Sequence, residues 1–136
     1  MTYLVDANVL SEPTKEKPDP RVTEWLRENE RELAVDPFIF GELRYGILLL
    51  PEGRRRRRLE DWFEAGIARL VCLAWDAATG LRWGELVAGL RASGQAMPIK
   101  DSLIAASAIH HGLVVATRNV SDFRKAAVRI VNPFAE

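Results

Sequence analysis

The segment Tyr3-Leu4-Val5-Asp6-Ala7-Asn8 is a short apolar run that ends in an acid and an amide. A later apolar run, Leu113-Val114-Val115-Ala116, is followed in the same way by the polar residues Thr117-Arg118-Asn119. Short apolar runs with helical segments between them are typical of strands in a parallel sheet. Because the carboxyl ends of parallel strands open onto one crevice, we expect the polar residues that follow both runs to lie close together.

The alternation of strands and helices along the chain predicts the fold class. The sequence predicts five strands, over residues 2–6, 33–35, 70–73, 113–116 and 128–131. Helices are predicted over residues 20–32, 37–50, 54–68 and 100–111, with a further helix that begins after Asp76. This order predicts a three-layer α/β/α sandwich with a central parallel sheet of four to five strands, formed by a single domain over residues 1–136.

The composition is that of a globular domain. The 136 residues are 48% hydrophobic and 28% charged, with a net charge of zero, which is not typical of a disordered chain. No apolar stretch approaches the roughly 20 residues that cross a bilayer, and no secretory leader precedes Asp6, so we expect a cytoplasmic protein without a membrane segment. The single cysteine, Cys72, excludes an internal disulfide and a cysteine-rich zinc site, and its apolar neighbours predict a buried core thiol.

Four acidic residues stand where the predicted fold would gather them: Asp6, Glu42, Asp101 and Asp122. Carboxylates brought together repel one another unless a divalent cation lies between them, so the first hypothesis is a metal site. Each of the three aspartates also has an ordinary explanation as a turn residue or a helix cap. Glu42 lies on an otherwise apolar helix, where it either needs a partner or points outward beside Arg44.

Four segments, taken in chain order, resemble the motifs of PIN-domain nucleases. They are Val5-Asp6-Ala7-Asn8-Val9-Leu10-Ser11-Glu12-Pro13, Gly41-Glu42-Leu43-Arg44-Tyr45-Gly46-Ile47, Asp101-Ser102-Leu103-Ile104-Ala105-Ala106 and Thr117-Arg118-Asn119-Val120-Ser121-Asp122-Phe123. Together they cover the chain from end to end and look most like the toxin component, VapC or FitB-like, of bacterial VapBC toxin–antitoxin pairs. The resemblance implies a magnesium-dependent endoribonuclease with the PIN fold.

The resemblance also implies which residues do the chemistry. The four acids named above would form a metal site, with Asp6 and Asp101 as the first choices for direct ligands. Three polar residues would orient the carboxylates or the attacking water: Asn8, Thr117 and Asn119. Mg²⁺, with Mn²⁺ as a substitute, would supply the water activation and charge neutralisation that phosphodiester hydrolysis requires.

Two positions depart from the family pattern. Ala7 stands where the family usually has threonine, which removes one hydroxyl beside Asp6. Ile39 stands where another threonine usually precedes the glutamate, and we expect Asp36-Pro37 to supply the helix cap instead. Neither departure removes a carboxylate, so the resemblance still implies an active enzyme.

Partners follow from the same resemblance. A VapB-like antitoxin would block the acidic site, and the toxin would form a homodimer or a larger toxin–antitoxin assembly. The apolar helices around Trp25, Phe40 and residues 48–50 are the candidate surface for antitoxin contacts. The expected substrate is a structured RNA such as tRNA, although no residue names a particular target.

Five arginines open the helix predicted over residues 54–68: Arg54, Arg55, Arg56, Arg57 and Arg58. They either form a solvated, salt-bridged face or contact RNA phosphates, and in the second case binding would depend steeply on salt. His110 and His111 come at the end of a helix, where cations interact favourably with the helix dipole, so we interpret them as structural.

Two other functional classes compete with the nuclease. A catalytically silent PIN-like module would bind RNA or protein, and single substitutions of Asp6 and Asp101 by asparagine would distinguish it from an enzyme. A phospho-acceptor receiver domain normally has two adjacent acids after its first strand, and Asp6-Ala7-Asn8 does not supply them. The sequence has neither a P-loop nor a Gly-x-Gly-x-x-Gly segment, so the usual nucleotide-binding motifs are excluded.

Overall fold

The computed structural model describes residues 1–135 and contains a sheet of five strands, in which all neighbouring strands are parallel. The strands are β1 (Tyr3–Val5), β2 (Leu33–Val35), β3 (Val71–Cys72), β4 (Val114–Ala116) and β5 (Ile130–Val131). Their order across the sheet is β3-β2-β1-β4-β5. The predicted parallel sheet is therefore confirmed, although four of its strands are shorter than the runs that predicted them.

Seven α-helices accompany the sheet within the described residues. They are α1 (Ala7–Leu10), α2 (Pro20–Glu28), α3 (Pro37–Leu48), α4 (Arg54–Ala65), α5 (Ala77–Ala92), α6 (Ile99–His111) and α7 (Val120–Arg124). Short 3₁₀ turns cover Glu12–Thr14, Glu30–Glu32 and Ile67–Arg69. Every connection between successive strands contains at least one helix, which gives the α/β/α sandwich that the sequence predicted.

The strand order reverses between β1 and β4. Strands β1, β2 and β3 progress towards one edge of the sheet, and β4 and β5 are then added on the other side of β1. In open α/β sheets, ligands bind beyond the carboxyl ends of the strands at such a reversal. Val5 pairs in register with Ala116, so the residues that follow them, Asp6 and Thr117, are neighbours at this point.

Capping residues define the start of α3, which carries Glu42, and the end of α6, which carries Asp101. Asp36 follows β2, and its Oδ1 accepts a 2.9 Å hydrogen bond from the backbone N–H of Ile39, so it caps α3 as the sequence predicted. Pro37 occupies the first turn of the helix, where its missing N–H has no intrahelical partner to lose. Gly112 ends α6 at a φ of 69°, a left-handed conformation that favours glycine.

Tight packing holds the two C-terminal acidic segments in place. Residues 104–108 of α6 are all buried, and apart from Ile104 they are alanine or serine, so α6 can approach the sheet closely. Phe123 on α7 is fully buried beside Asp122 in the chain. Truncation of a buried phenylalanine to alanine lowers the free energy of unfolding by about 3–5 kcal/mol. The packing of Phe123 therefore fixes the position of the segment that carries Asp122.

Several predicted helices are longer than the observed ones. The helix predicted over residues 20–32 ends at Glu28, where the Asn29 side chain donates a 2.8 Å hydrogen bond to the Trp25 carbonyl and a separate 3₁₀ turn follows. The helices predicted over residues 37–50 and 54–68 end at Leu48 and Ala65. No helix within residues 1–135 is long and apolar enough to span a membrane.

The prediction of a buried thiol at Cys72 is wrong. Cys72 and its neighbour Val71 are both exposed. Their strand, β3, lies at the edge of the sheet and pairs with β2 alone, so the apolar run around Cys72 reaches the surface instead of the core. An apolar sequence alone does not distinguish an edge strand from a central one.

Candidate active site

Asp6 lies at the carboxyl end of β1 and is only 3% exposed. Its Oδ1 accepts a 2.8 Å hydrogen bond from the backbone N–H of Ala7 and so caps α1. Its Oδ2 accepts a 2.8 Å hydrogen bond from the Thr117 hydroxyl and a longer one, 3.4 Å, from the Asn8 amide. The backbone N–H of Asp6 also donates to the Ala116 carbonyl, so the acid is fixed to β4 at both its backbone and its side chain.

Thr117 and Asn8 tie the ends of β1 and β4 together. The Thr117 hydroxyl accepts from the backbone N–H of Asn119 at 3.0 Å and from the Asn8 amide at 3.4 Å. The side-chain Oδ1 of Asn8 accepts a hydrogen bond from the backbone N–H of Arg118 at 3.1 Å. These neutral groups therefore orient Asp6 without cancelling its charge.

Asp101 and Asp122 are joined by one amide. Asp101 lies in the first turn of α6 and is 3% exposed, whereas Asp122 lies in the first turn of α7 and is half-buried. The Asn119 side-chain N–H₂ donates to Asp101 Oδ2 at 2.7 Å and to Asp122 Oδ2 at 2.9 Å. Asp122 Oδ1 also lies 3.5 Å from the ammonium of Lys125. The loop after β4 thus contacts three of the four predicted acids through Thr117 and Asn119.

Glu42 has a different kind of partner, a lysine on the facing helix. Its Oε2 forms a 2.7 Å ion pair with Lys100 Nζ, while its Oε1 is buried and has no hydrogen-bond partner. Glu42 pairs with Lys100 and not with its helix neighbour Arg44, which lies 3.8 Å from Glu60. Lys100 immediately precedes Asp101, so α6 brings a cation and a carboxylate to the site in adjacent positions.

Burial and mutual repulsion raise the pKa values of the acids. The pKa of Asp101 is raised to about 6, mainly by burial and also by the charges of Asp6, Asp122 and Glu42, while Lys100 opposes the rise. The pKa of Asp6 is also raised, mainly by burial and further by Glu42, although the Thr117 hydrogen bond lowers it. The carboxylates therefore interact electrostatically, as expected for acids that lie in the same crevice.

Asp36 is a fifth acid in this electrostatic group. Its pKa is raised to about 6, mainly by burial and to a smaller extent by the charges of Asp6 and Glu42, while backbone hydrogen bonds from Ile39 and Phe38 oppose the rise. Its Oδ2 is buried without a hydrogen-bond partner, while Oδ1 caps α3. Leu4 pairs in register with Ala34, which explains why the acids two residues further along β1 and β2, Asp6 and Asp36, lie near each other.

The donor chemistry of the site fits a hard divalent cation. Every acid in it offers carboxylate oxygens, and the unpartnered Glu42 Oε1 is a buried oxygen that a cation would satisfy. Within residues 1–135, no three His, Cys, Asp or Glu side chains are arranged to hold a metal ion as they stand. Mg²⁺ needs only one or two carboxylates together with water, so a convergence of three is not required.

A model of the PIN domain family matches residues 3–129, nearly the whole chain. The chain belongs to the PIN domain family. It is 33% identical over 135 residues to the VapC ribonuclease Y4jK of Sinorhizobium fredii, with 96% of both chains covered. It is 32% identical over 135 residues to toxin FitB of Neisseria gonorrhoeae, with 96% of this chain and 97% of that protein covered. The resemblance to PIN domains of the VapC and FitB type is confirmed.

Solved structures agree with the sequence comparison. The PIN domain described here resembles the crystal structure of FitAcB from Neisseria gonorrhoeae with a TM-score of 0.90 and 29% identity, over 99% of this chain and 100% of that chain. It resembles DNA-bound VapBC from Salmonella typhimurium with a TM-score of 0.84 and 26% identity, over 98% of each chain. The PIN-like fold predicted from the sequence is therefore confirmed.

Two residues of this PIN domain were not predicted from the sequence as members of the site. Asp36 was predicted only as a helix cap, because its position beside Asp6 depends on the pairing of β1 with β2. Lys100 was not singled out at all. Its signal in the sequence is its position: a cation in the first turn of a helix is unfavourable next to the helix dipole and requires a compensating partner.

The other residues singled out from the sequence lie around this site or away from it. His110 and His111 lie in the last turn of α6, as predicted, and His111 Nε2 lies 3.4 Å from the Ala74 carbonyl oxygen. Trp25 packs edge-on against Tyr3, and Phe40 packs against Phe63, so both aromatic rings have internal partners. The exposed apolar side chains near the end of α3 are Tyr45, Leu48 and Leu49.

Proposed function

We propose that this chain is a single PIN domain over residues 1–136 that acts as a divalent-metal-dependent endoribonuclease, the toxin of a VapBC-type toxin–antitoxin pair. The observation that carries the proposal is the group of buried, mutually repelling carboxylates at the reversal between β1 and β4. Relatives named as a VapC ribonuclease and as toxin FitB, each about one-third identical over almost the full chain, support the class of activity.

We assign the direct metal contacts first to Asp6 and Asp101, the two most buried of the four predicted acids. Glu42 and Asp122 bind directly, bind through water, or complete a second ion's site. Mg²⁺, or Mn²⁺ in its place, supplies water activation and neutralises charge on the phosphoryl oxygens when bound. The buried Oε1 of Glu42, which has no partner of its own, supports its inclusion in this set.

Thr117, Asn8 and Asn119 act as positioning residues. Thr117 and Asn8 donate hydrogen bonds to Asp6 Oδ2, and Asn119 holds Asp101 and Asp122 at one amide. Such contacts fix the orientation of a carboxylate while leaving its negative charge available to a cation. Ala7, where the family usually has threonine, still contributes its backbone N–H to Asp6 Oδ1.

A cognate VapB-like antitoxin and a homodimer complete the proposal. One solved structure that this fold resembles, VapBC-5 from Mycobacterium tuberculosis, is named as a member of the VapBC family of toxin–antitoxin systems, and the VapBC structure from Salmonella typhimurium is bound to DNA. We propose that an antitoxin covers the groove beside the acidic site, where the side chains of Leu43, Ile47 and Trp62 supply apolar surface. Leu48 and Leu49, which are exposed near the end of α3, are further candidates for antitoxin contacts.

The test is cleavage of total RNA by the purified, antitoxin-free chain with Mg²⁺, with Mn²⁺ and with EDTA, beside the Asp6→Asn variant. We expect discrete products that require metal and disappear in the variant. Absence of cleavage by folded protein in both metals would contradict the nuclease and favour the alternative, a catalytically silent PIN-like module that binds RNA or protein.

A further inference from the structure

The five arginines of α4 fall into groups with different surroundings. Arg56 is engaged within the protein: its Nε lies 3.2 Å from Glu60 Oε1, and its Nη1 donates to the Leu50 carbonyl at 3.3 Å. Arg57 lines a cavity together with Glu52 and Glu60. Arg55 and Arg58 line another cavity, and neither forms an ion pair or a hydrogen bond within residues 1–135.

The positions of these arginines are unfavourable for the helix itself. The N-cap residue of α4 is Gly53, which has no side chain to accept a hydrogen bond from the helix. The first turn of α4 contains no acidic residue. Cations near the start of a helix meet the positive end of its dipole, and like charges three residues apart repel each other. Arg55 and Arg58 therefore lower the stability of α4, and no ion pair within the part of the chain that the structure describes compensates for this. A bound anion would reduce both the unfavourable interaction with the dipole and the repulsion between the two arginines.

The cavity has a basic lining. Its volume is about 330 Å³, and Thr14, Lys15, Glu16, Arg55 and Arg58 line it. Lys15 is already paired, because its Nζ lies 2.8 Å from Glu12 Oε1. Glu16 is the one acid in the lining, and the two arginines outweigh it without any contribution from Lys15. Arginine presents several N–H groups in a planar fork that matches the oxygens of a phosphate.

The basic cavity shares a lining residue with the groove beside the acidic site. Thr14 lines the cavity, and it also lines the groove together with Asn8 and Glu42. Asn8 and Thr14 are six residues apart in α1 and the 3₁₀ turn that follows it, a span of about 10 Å. A nucleic acid strand with one phosphate at the carboxylates can therefore follow this lining and bring a phosphate further along its backbone to the arginines.

We propose that Arg55 and Arg58, assisted by Lys15, form a phosphate-binding subsite for the RNA backbone beside the cleavage site. The proposal rests on the proposed ribonuclease function and adds the surface that holds the strand. Contacts of this kind position the backbone and carry no base specificity. Arg54, Arg56 and Arg57 have no part in the subsite.

The test compares two double variants that remove the same charge from the same helix: Arg55→Gln/Arg58→Gln and Arg54→Gln/Arg57→Gln. Glutamine keeps a helix propensity close to that of arginine. Binding of labelled oligouridylate is measured by fluorescence anisotropy in EDTA, which prevents metal-dependent cleavage, over a series of KCl concentrations. Thermal unfolding followed by circular dichroism verifies that both variants are folded.

We expect the Arg55/Arg58 double variant to bind roughly tenfold or more weakly at low salt. The slope of log K against log[KCl] should become shallower by about 0.7 for each phosphate of the single strand that the variant no longer neutralises. The Arg54/Arg57 control should stay near the wild-type protein in both quantities. The melting temperature of the Arg55/Arg58 variant should be unchanged or higher, because an unfavourable charge pair is removed.

Equally weakened binding in the two double variants would overturn the subsite, since it would reflect only the general positive field of α4. Unchanged oligouridylate binding in the Arg55/Arg58 double variant would also overturn it. The two proposals fail separately. If the protein cleaves RNA with metal but the two double variants bind RNA equally well, only the subsite is contradicted. If the Arg55/Arg58 variant binds RNA more weakly but the wild-type protein cleaves no RNA, only the nuclease is contradicted.

Discussion

The chemistry that holds the carboxylates of Asp6 and Asp101 differs from the chemistry that holds the carboxylate of Glu42. Asp6 and Asp101 accept hydrogen bonds from the neutral side chains of Thr117, Asn8 and Asn119. Glu42 instead pairs with the ammonium of Lys100. The neutral donors orient a carboxylate and preserve its charge, whereas the lysine orients it and cancels the charge. We infer that Asp6 and Asp101 keep the negative potential that attracts a cation, and that Lys100 competes with that cation.

The largest effect is expected from Asp101→Asn. The change removes a proposed metal ligand, so we expect RNA cleavage to fall by about 10³-fold or more, the equivalent of about 4 kcal/mol. Without metal, the variant should nevertheless melt at the same temperature as the wild-type protein or at a higher one. The wild-type protein must ionise Asp101, a buried acid with a raised pKa, whereas asparagine carries no charge. Single-turnover cleavage and thermal unfolding in EDTA measure both. An inactive variant with a lower melting temperature would assign Asp101 a structural role.

Thr117→Val removes the neutral donor that orients Asp6. The hydroxyl is fully buried and joins Asp6, Asn8 and Asn119, so we expect the free energy of unfolding to fall by about 1–3 kcal/mol. Cleavage should fall by about 10–100-fold, the range seen when a group that supports a metal ligand is removed. Thr117→Ser is the matched control, because it keeps the hydroxyl. If serine and valine had equal effects on cleavage, the hydroxyl would not be what positions Asp6.

The pH dependence of stability gives a third comparison. Asp101 and Asp36 have native pKa values of about 6, above the ordinary 3.8, so the folded state binds their protons more tightly than the unfolded chain does. Their contribution to stability is therefore lost as pH rises through about 6 and regained as pH falls towards about 4. We expect the metal-free protein to be more stable at about pH 5 than at about pH 7.5, as measured by urea unfolding in EDTA.

A variant and a metal sharpen the pH experiment. Asp101→Asn should flatten part of the pH dependence between about pH 4 and 6, since it removes one of the two titrating groups. Bound Mn²⁺ should reverse the trend, because a cation favours the ionised carboxylates. A wild-type protein whose metal-free stability rises from about pH 5 to about pH 7.5 would contradict the assignment of raised pKa values to these acids.

The smallest effect is expected from Lys100→Met. Its ion pair with Glu42 is partly exposed, and such pairs contribute up to about 1 kcal/mol. Removal of the competing cation should therefore strengthen Mn²⁺ binding by up to about fivefold, as measured by isothermal titration calorimetry. Lys125→Met is the matched control, because Lys125 lies 3.5 Å from Asp122 and should have a weaker effect. Weaker Mn²⁺ binding in the Lys100 variant would mean that Lys100 helps the site and does not compete with it.

The sequence predicted the acidic end of the site because local signals coincide there. Asp6 and Thr117 each end an apolar strand run, and parallel strands place such residues side by side. A second local signal, an aspartate followed by proline at a helix start, predicted that Asp36 caps α3. Asn8, Thr117 and Asn119 were singled out through the family resemblance, and each contacts a carboxylate in the structure. Their catalytic roles remain a proposal.

The remaining features depend on contacts between distant parts of the chain. The Glu42–Lys100 pair joins residues 58 positions apart, so its geometry follows only from the packing of α3 against α6. Cys72 was predicted to belong to the core because its neighbours in the sequence are apolar. The apolar run does not indicate the order of the strands, which places β3 at the edge of the sheet. Arg54 to Arg58 form one charged block in the sequence, whereas the structure separates them by their neighbours on α4.

A crystal of the protein soaked in Mn²⁺ and measured for anomalous scattering tests the central claim most directly. We expect an anomalous peak between the carboxylates of Asp6 and Asp101, within coordination distance of both, with the Lys100 ammonium moved away from Glu42. A protein that cleaves RNA with Mn²⁺ but has no manganese at these two acids would contradict the account.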